Sequence, residues 1–112
     1  MSYDLAHIVR QSKSLNQLYK SRLRRGDHVI LKTSNSVYII DVLENGQYIV
    51  SGGWFDKNNL APTQTTIHGC TWGGSIIKAD IVAACGLHLE FGNKVITSKI
   101  KKIFHIPVYR KN

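Results

Sequence analysis

Residues 27–51 read DHVILKTSNSVYIIDVLENGQYIVS, and this stretch decides the fold. Apolar and polar residues largely alternate along it and β-branched residues dominate, a period of two that is typical of half-buried strands. Glu44-Asn45-Gly46 is a hairpin signal, because Asn and Gly accept the positive φ that tight turns require. The stretch therefore predicts three antiparallel strands, at Asp27–Thr33, Ser36–Leu43 and Gln47–Ser51.

The chain becomes less regular after these strands. Gly52-Gly53 ends the third strand, and residues 54–66 have the composition of a loop. The elements predicted beyond it are a strand at Thr66–Cys70, a helical turn at Asp80–Cys85, a strand at Leu87–Phe91, a hairpin turn at Gly92-Asn93, a strand at Lys94–Thr97, a 3₁₀ turn at Ser98–Lys102 and a last strand at Ile103–Val108.

The chain before residue 27 has a different period. Apolar residues of the segment 4–23 recur mostly at three- and four-residue steps and proline is absent, which predicts one helix or two short ones. We therefore expect a single domain over residues 1–112, with a basic N-terminal helical segment at 1–25 and a small β-barrel at 26–108.

Length and composition exclude several classes of protein. A chain of 112 residues, 43% of them hydrophobic, holds one core and leaves little room for a second domain. Two cysteines are too few for a disulfide scaffold. The longest apolar run, residues 81–85, is far shorter than a bilayer span, and no signal-peptide run stands near the start. We expect a cytoplasmic protein with no membrane partner and no cofactor.

The net charge of +8 is concentrated at the two ends of the chain. Residues 5–26 contain six Lys or Arg and no acid, and residues 94–112 have the same balance, whereas residues 27–93 are net acidic. If the two basic zones meet in space, they form one positive face that attracts phosphate or an acidic partner. The alternative is that these charges only keep a small protein soluble.

The basic stretch Arg24-Arg25-Gly26-Asp27-His28-Val29 opens the first predicted strand, and Thr97-Ser98-Lys99-Ile100 precedes the last one. With the strand rhythm between them, residues 24–108 resemble small SH3-like barrels of the KOW or Tudor kind. Residues 52–86 depart from that pattern by inserting a Gly- and Trp-rich excursion where such barrels have a short connection. The resemblance implies a mainly β fold and a binding module more than an enzyme, and no binding residue is transferred from it.

Trp54 and Trp72 stand beside glycine pairs, which suggests aromatic faces that a ligand can approach closely. One interpretation is a stacking platform for unpaired bases; the alternative is that both indoles plug the ends of the barrel. Our leading hypothesis is a small basic module that binds RNA or DNA without strong sequence preference. The residues predicted for this role are Arg22, Arg24, Arg25, Lys99, Lys101 and Lys102, which would contact phosphates, and Trp54 and Trp72, which would stack on bases.

Two other hypotheses come from different classes. In the first, the Gly/Trp surface docks a partner protein and the basic ends meet an acidic partner. In the second, residues 68–88 form a small-ligand site or an active site. Within that segment Cys85-x-x-His88 fits zinc-ligand spacing but His68-x-Cys70 does not, and free cysteines more often behave as small buried hydrophobes. We therefore predict no metal and no catalytic residue.

Overall fold

The structure, a computed structural model, describes residues 14–72 and 77–108. Most of the described residues lie in antiparallel strands, as the alternating pattern predicted. In chain order the elements are β1 (Gln17–Tyr19), a 3₁₀ turn (Lys20–Arg22), β2 (His28–Thr33), β3 (Val37–Val42), β4 (Gln47–Gly52), α1 (Gly53–Lys57), β5 (Thr63–Thr71), β6 (Ile77–Lys78), β7 (Ile81–Ala84), β8 (His88–Phe91) and β9 (Ile100–Ile106).

The three strands predicted over residues 27–51 are confirmed as β2, β3 and β4, with ends within one residue of the predicted ones. The hairpin turn between β3 and β4 is confirmed as well, because Asn45 and Gly46 have φ values of 57° and 72°. β2 lies between β3 and the last strand, β9, and both pairings are antiparallel.

The main sheet has the order β6-β5-β4-β3-β2-β9, and β8 also pairs with β5. It curls into a half-barrel. The core fills the concave side, where alternate residues of β2, β3 and β4 are fully buried: Val29, Leu31, Ile40 and Val50. The ring of Phe55 from α1 packs edge-on against that of Phe91 from β8, with centroids 5.2 Å apart. The start of the insertion at 52–86 is therefore anchored in the core through Phe55.

The N-terminal helix is not observed. Residues 4–13 of that prediction lie outside the described residues, and over residues 14–23 the prediction is wrong. There the chain forms β1 and a 3₁₀ turn, and β1 pairs with β7. Leu18 is buried between exposed Gln17 and Tyr19, which is the alternation of a strand. Tertiary pairing prevails here over an apolar spacing that also fits a helix.

Two other predicted turns are strands. The predicted helical turn at Asp80–Cys85 is wrong, because Ile81–Ala84 is β7, and all four of its residues are buried. A short apolar run that is buried all round does not reveal its own period, so a strand and a helical turn look alike in sequence. The predicted 3₁₀ turn at Ser98–Lys102 is also wrong, since β9 begins at Ile100.

The segment 54–66 is only partly the loop that was predicted. Gly53–Lys57 forms the short helix α1, and β5 begins at Thr63. None of the helices in the described part of the chain has the length and hydrophobicity that crossing a membrane requires.

Candidate nucleic-acid interface

The pairing of β2 with β9 brings lysines together at one end of the sheet. Lys32 of β2 lies directly opposite Lys102 of β9, and both side chains are exposed. The register shifts beyond this pair, so that Lys101 is the extra residue of a β-bulge and is also exposed. Like charges directly opposite each other on adjacent strands destabilise a sheet, so this pair carries a local cost in stability.

Lys99 lies at the same end because the turn after β2 is tied to the segment before β9. The Ser34 amide donates to the Lys99 carbonyl at 2.9 Å, and the Ser98 hydroxyl donates to Thr33 Oγ1 at 2.8 Å. We call Lys32, Lys99, Lys101 and Lys102 the lysine cluster. All four are exposed, and none of them forms an ion pair within residues 14–72 and 77–108.

Trp54 stands at the same end of the sheet as the lysine cluster. Val37 of β3 pairs with Lys32, and the neighbouring Tyr38 pairs with Gly52 at the end of β4. Three inter-strand spacings of about 4.8 Å therefore separate the backbone of Lys102 from the start of α1, which is about 15 Å. An extended single strand of a few nucleotides covers that distance.

The Trp54 indole packs against Phe55 and is still partly exposed to solvent. Its ring packs edge-on against the Phe55 ring with centroids 5.4 Å apart, and its backbone amide donates to Tyr38 Oη at 3.2 Å. The residue nevertheless keeps 38% of its surface exposed. The Gly52-Gly53 pair lets the start of α1 lie close to β3, because φ is positive at both glycines and a Cβ at either one would collide with Val37 or Tyr38.

The three predicted arginines lie at the opposite end of the sheet. Gly26 N donates to Val42 O at 2.9 Å, and His28 pairs with Ile106, four residues along β2 from the Lys32 pair. That is about 13 Å of strand, and Arg22, Arg24 and Arg25 lie farther still along the chain. Arg25 also forms an ion pair with Glu44, Nη1 to Oε1 at 2.6 Å. The six predicted basic residues therefore form two groups, at opposite ends of the sheet.

Trp72 is the more exposed of the two indoles, with 58% of its surface accessible. It follows the part of β5 that pairs with β6 and β8, and Lys78 Nζ lies 5.5 Å from its ring centroid. Neither indole is fully buried, as the alternative in which they plug the barrel ends would require. Of the predicted residues, the structure brings Trp54 to the end that holds Lys99, Lys101 and Lys102.

The four candidate metal ligands each contact another group. His68 Nδ1 lies 2.7 Å from Glu90 Oε2, and His88 Nδ1 lies 2.8 Å from the Thr97 carbonyl oxygen. Cys70 Sγ donates to Val82 O, and Cys85 Sγ to Leu15 O, each at 3.4 Å. In the part of the chain that the structure describes, no three ligand-type side chains are grouped so that they could hold a metal ion.

Cys70 is also poorly suited to act as a nucleophile. Burial raises the pKa of its thiol to about 11, although the nearby Ala84 backbone and the Lys20 ammonium act in the other direction. The thiolate is the reactive form of cysteine, so this raised pKa disfavours a nucleophilic role for Cys70.

The chain matches no protein-family model, no curated protein and no solved structure. Its function has to be argued from its own residues.

Sequence reasoning missed Lys32, which belongs to the net acidic segment 27–93 and was therefore not counted with the basic zones. A signal for it was present: in the predicted strand Asp27–Thr33, Lys32 is the charged residue that alternation with Leu31 places on the solvent side. What could not be read from the sequence is that β9 lies beside β2 in a register that sets Lys102 against it.

Proposed function

We propose that the protein binds nucleic acid without strong sequence preference, that the lysine cluster contacts the phosphates, and that Trp54 stacks on an unpaired base. The observation that carries this proposal is the directly opposed pair Lys32–Lys102, with Lys99 and Lys101 beside it. Four exposed cations that form no ion pair with any described residue attract a polyanion, and a phosphate between Lys32 and Lys102 would relieve their mutual repulsion.

Lysines on edge strands have a second explanation, because they discourage edge-to-edge pairing between molecules. That explanation suits Lys101 and Lys102, which lie on β9, the last strand of the main sheet order. It does not account for Lys32, since β2 lies between β3 and β9. Binding of an anion accounts for the lysines of both strands.

The position of Trp54 favours single strands over duplexes. Base–aromatic stacking contributes about 1–3 kcal/mol per base and requires a base that is free of its own stack. Within the proposal, the half-barrel is an SH3-like barrel with an insertion at 52–86, because β9 returns to pair with the first strand of the β2–β4 meander. The free thiols of Cys70 and Cys85 fit a reducing compartment such as the cytoplasm.

The test compares two variants with the same change in net charge. The first replaces the lysines of the cluster that lie on or beside β9, Lys99→Gln, Lys101→Gln and Lys102→Gln. Affinity for a fluorescent oligothymidylate is measured by polarisation across a salt series. Because each lost phosphate contact lowers the slope of log affinity against log salt by about 0.7 on a single strand, the slope should fall by about 2.

The matched control carries Arg22→Gln, Arg24→Gln and Arg25→Gln, at the opposite end of the sheet. Its slope should change by less than half as much as that of the lysine variant. Equal losses in the two variants would show that net charge alone attracts the oligonucleotide. A wild-type protein that does not bind the oligothymidylate at low salt would overturn the proposal.

A further inference from the structure

A concave site lies between β1 and the end of β9, and none of its lining residues belongs to the lysine cluster. The cleft has a volume of about 530 Å³. That is within the range of small-molecule sites, which is about 300–1,000 Å³. Leu15, Leu18 and Pro107 supply apolar walls, and Tyr19, Arg22 and His105 supply an aromatic ring and polar groups.

A buried carboxylate fixes the imidazole in this cleft. Asp27 Oδ2 lies 2.8 Å from His105 Nε2, and the Asp27 side chain is 2% exposed. Burial alone would raise the pKa of Asp27, but hydrogen bonds from the Val108 amide, His105 and the Arg24 amide outweigh it, so the pKa of this carboxyl is lowered. An ionised Asp27 accepts a hydrogen bond from the Nε2–H group of His105, which fixes the orientation of the ring.

The other ring nitrogen of His105, Nδ1, is available for a hydrogen bond to a ligand. Nδ1 has no hydrogen-bond partner within residues 14–72 and 77–108, and no buried side-chain nitrogen there is left unpaired, so Nδ1 is not fully buried, and His105 lines the cleft. The Arg22 guanidinium on the same cleft forms no ion pair with a described residue. One wall thus offers a cationic donor and the other an oriented imidazole nitrogen.

We propose that this cleft binds a small apolar acid with a hydroxyl or ammonium group next to its carboxylate. Arg22 pairs with the carboxylate, for which its planar fork is suited. His105 Nδ1 accepts a hydrogen bond from the adjacent hydroxyl or ammonium. Leu15, Leu18 and Pro107 cover the apolar part of the ligand. The site is independent of the nucleic-acid proposal, because it uses neither the lysine cluster nor Trp54.

Four compounds on one carbon skeleton test the proposal in the full chain by NMR titration of the backbone amides. Phenyllactate and phenylalanine carry both groups and separate the hydroxy-acid from the amino-acid class. Phenylpropionate lacks the donor, and phenylalaninamide lacks the carboxylate. At least one of the first two should bind about tenfold more tightly than each of the last two, since one hydrogen bond to a charged or oriented partner is worth about 1.4 kcal/mol or more.

Three variants, one of them a control, locate the binding. Arg22→Gln changes an exposed residue and should weaken the preferred ligand at least tenfold, whereas Arg24→Gln, which alters an arginine outside the cleft, should leave it unchanged. His105→Gln should abolish the preference for phenyllactate or phenylalanine over phenylpropionate. Equal binding of all four compounds, no shifts at residues 15–22 and 105–106, or unchanged affinity in Arg22→Gln would overturn the proposal.

Discussion

The opposed lysines of β2 and β9 lead to a prediction about stability. In Lys102→Glu, a repulsive pair with Lys32 becomes an attractive one, and the bulge and the neighbouring exposed residues stay the same. Removing the repulsion and gaining the attraction each contribute about 0.5 kcal/mol for directly opposite residues. We therefore expect this variant to be more stable than the wild type by about 1 kcal/mol, which corresponds to about 4 °C in Tm for a domain of this size.

The assay is urea unfolding followed by circular dichroism, at low salt and at high salt. Lys99→Glu is the matched control, because it makes the same change in net charge at the same end of the sheet but removes no directly opposed cation. At low salt Lys102→Glu should be the more stable of the two. The difference should nearly vanish at about 1 M salt, where the Debye length is about 3 Å.

The same substitution should weaken binding of an oligothymidylate, since it removes a phosphate contact and adds a negative charge. If the lysines bind nucleic acid at a cost in stability, Lys102→Glu should both raise the free energy of unfolding and weaken oligothymidylate binding. If Lys102→Glu is no more stable than Lys99→Glu at low salt, the lysines do not repel each other appreciably and the reasoning from their opposition is refuted.

Three further predictions rest on single residues. Trp54→Ala should weaken single-strand binding by about 1–3 kcal/mol and leave duplex binding nearly unchanged in parallel polarisation titrations, whereas equal losses on both would contradict stacking. Gly52→Ala should lower Tm much more than Gly46→Ala, because both have positive φ but only Gly52 has backbone atoms of Val37 where the Cβ would lie; similar Tm values would contradict this. The pKa of Asp27 is lowered in the folded state, so its contribution to stability is present above its unfolded pKa and is lost as the pH falls through its folded pKa. Asp27→Asn should therefore reduce the loss of stability at acid pH, measured as the free energy of unfolding in urea across a pH series. An unchanged loss would show that other carboxyls cause it.

The parts of the fold that could be predicted from the sequence are those set by local pattern. The strands β2, β3 and β4 have a clear period of two, and the turn at residues 44–46 contains the residues that its backbone requires. Such signals are local, and the structure agrees with them because the concave side of the sheet buries the alternate apolar residues of the pattern.

The elements that were predicted incorrectly depend on long-range pairing. β1 and β7 are each stabilised by the other, and neither has alternation long enough to distinguish a strand from a helical turn. The candidate site also depends on contacts between residues that are far apart in the sequence. Exposure of Trp54 depends on α1 packing through Phe55, and the position of Lys32 beside Lys102 depends on the register of strands about 70 residues apart in the chain. Composition indicated a basic protein, but only the pairing shows which cations share a surface.

The most direct test of the nucleic-acid proposal is to map where a single strand lies on the wild-type protein. Backbone amide and indole NMR signals are followed while an oligothymidylate is added at low salt. We expect the largest shifts at residues 32–36, 52–57 and 98–102, with the Trp54 indole among them, and small shifts at residues 22–26. Largest shifts at residues 22–26, or at the Trp72 indole with none at Trp54, would contradict the proposed interface.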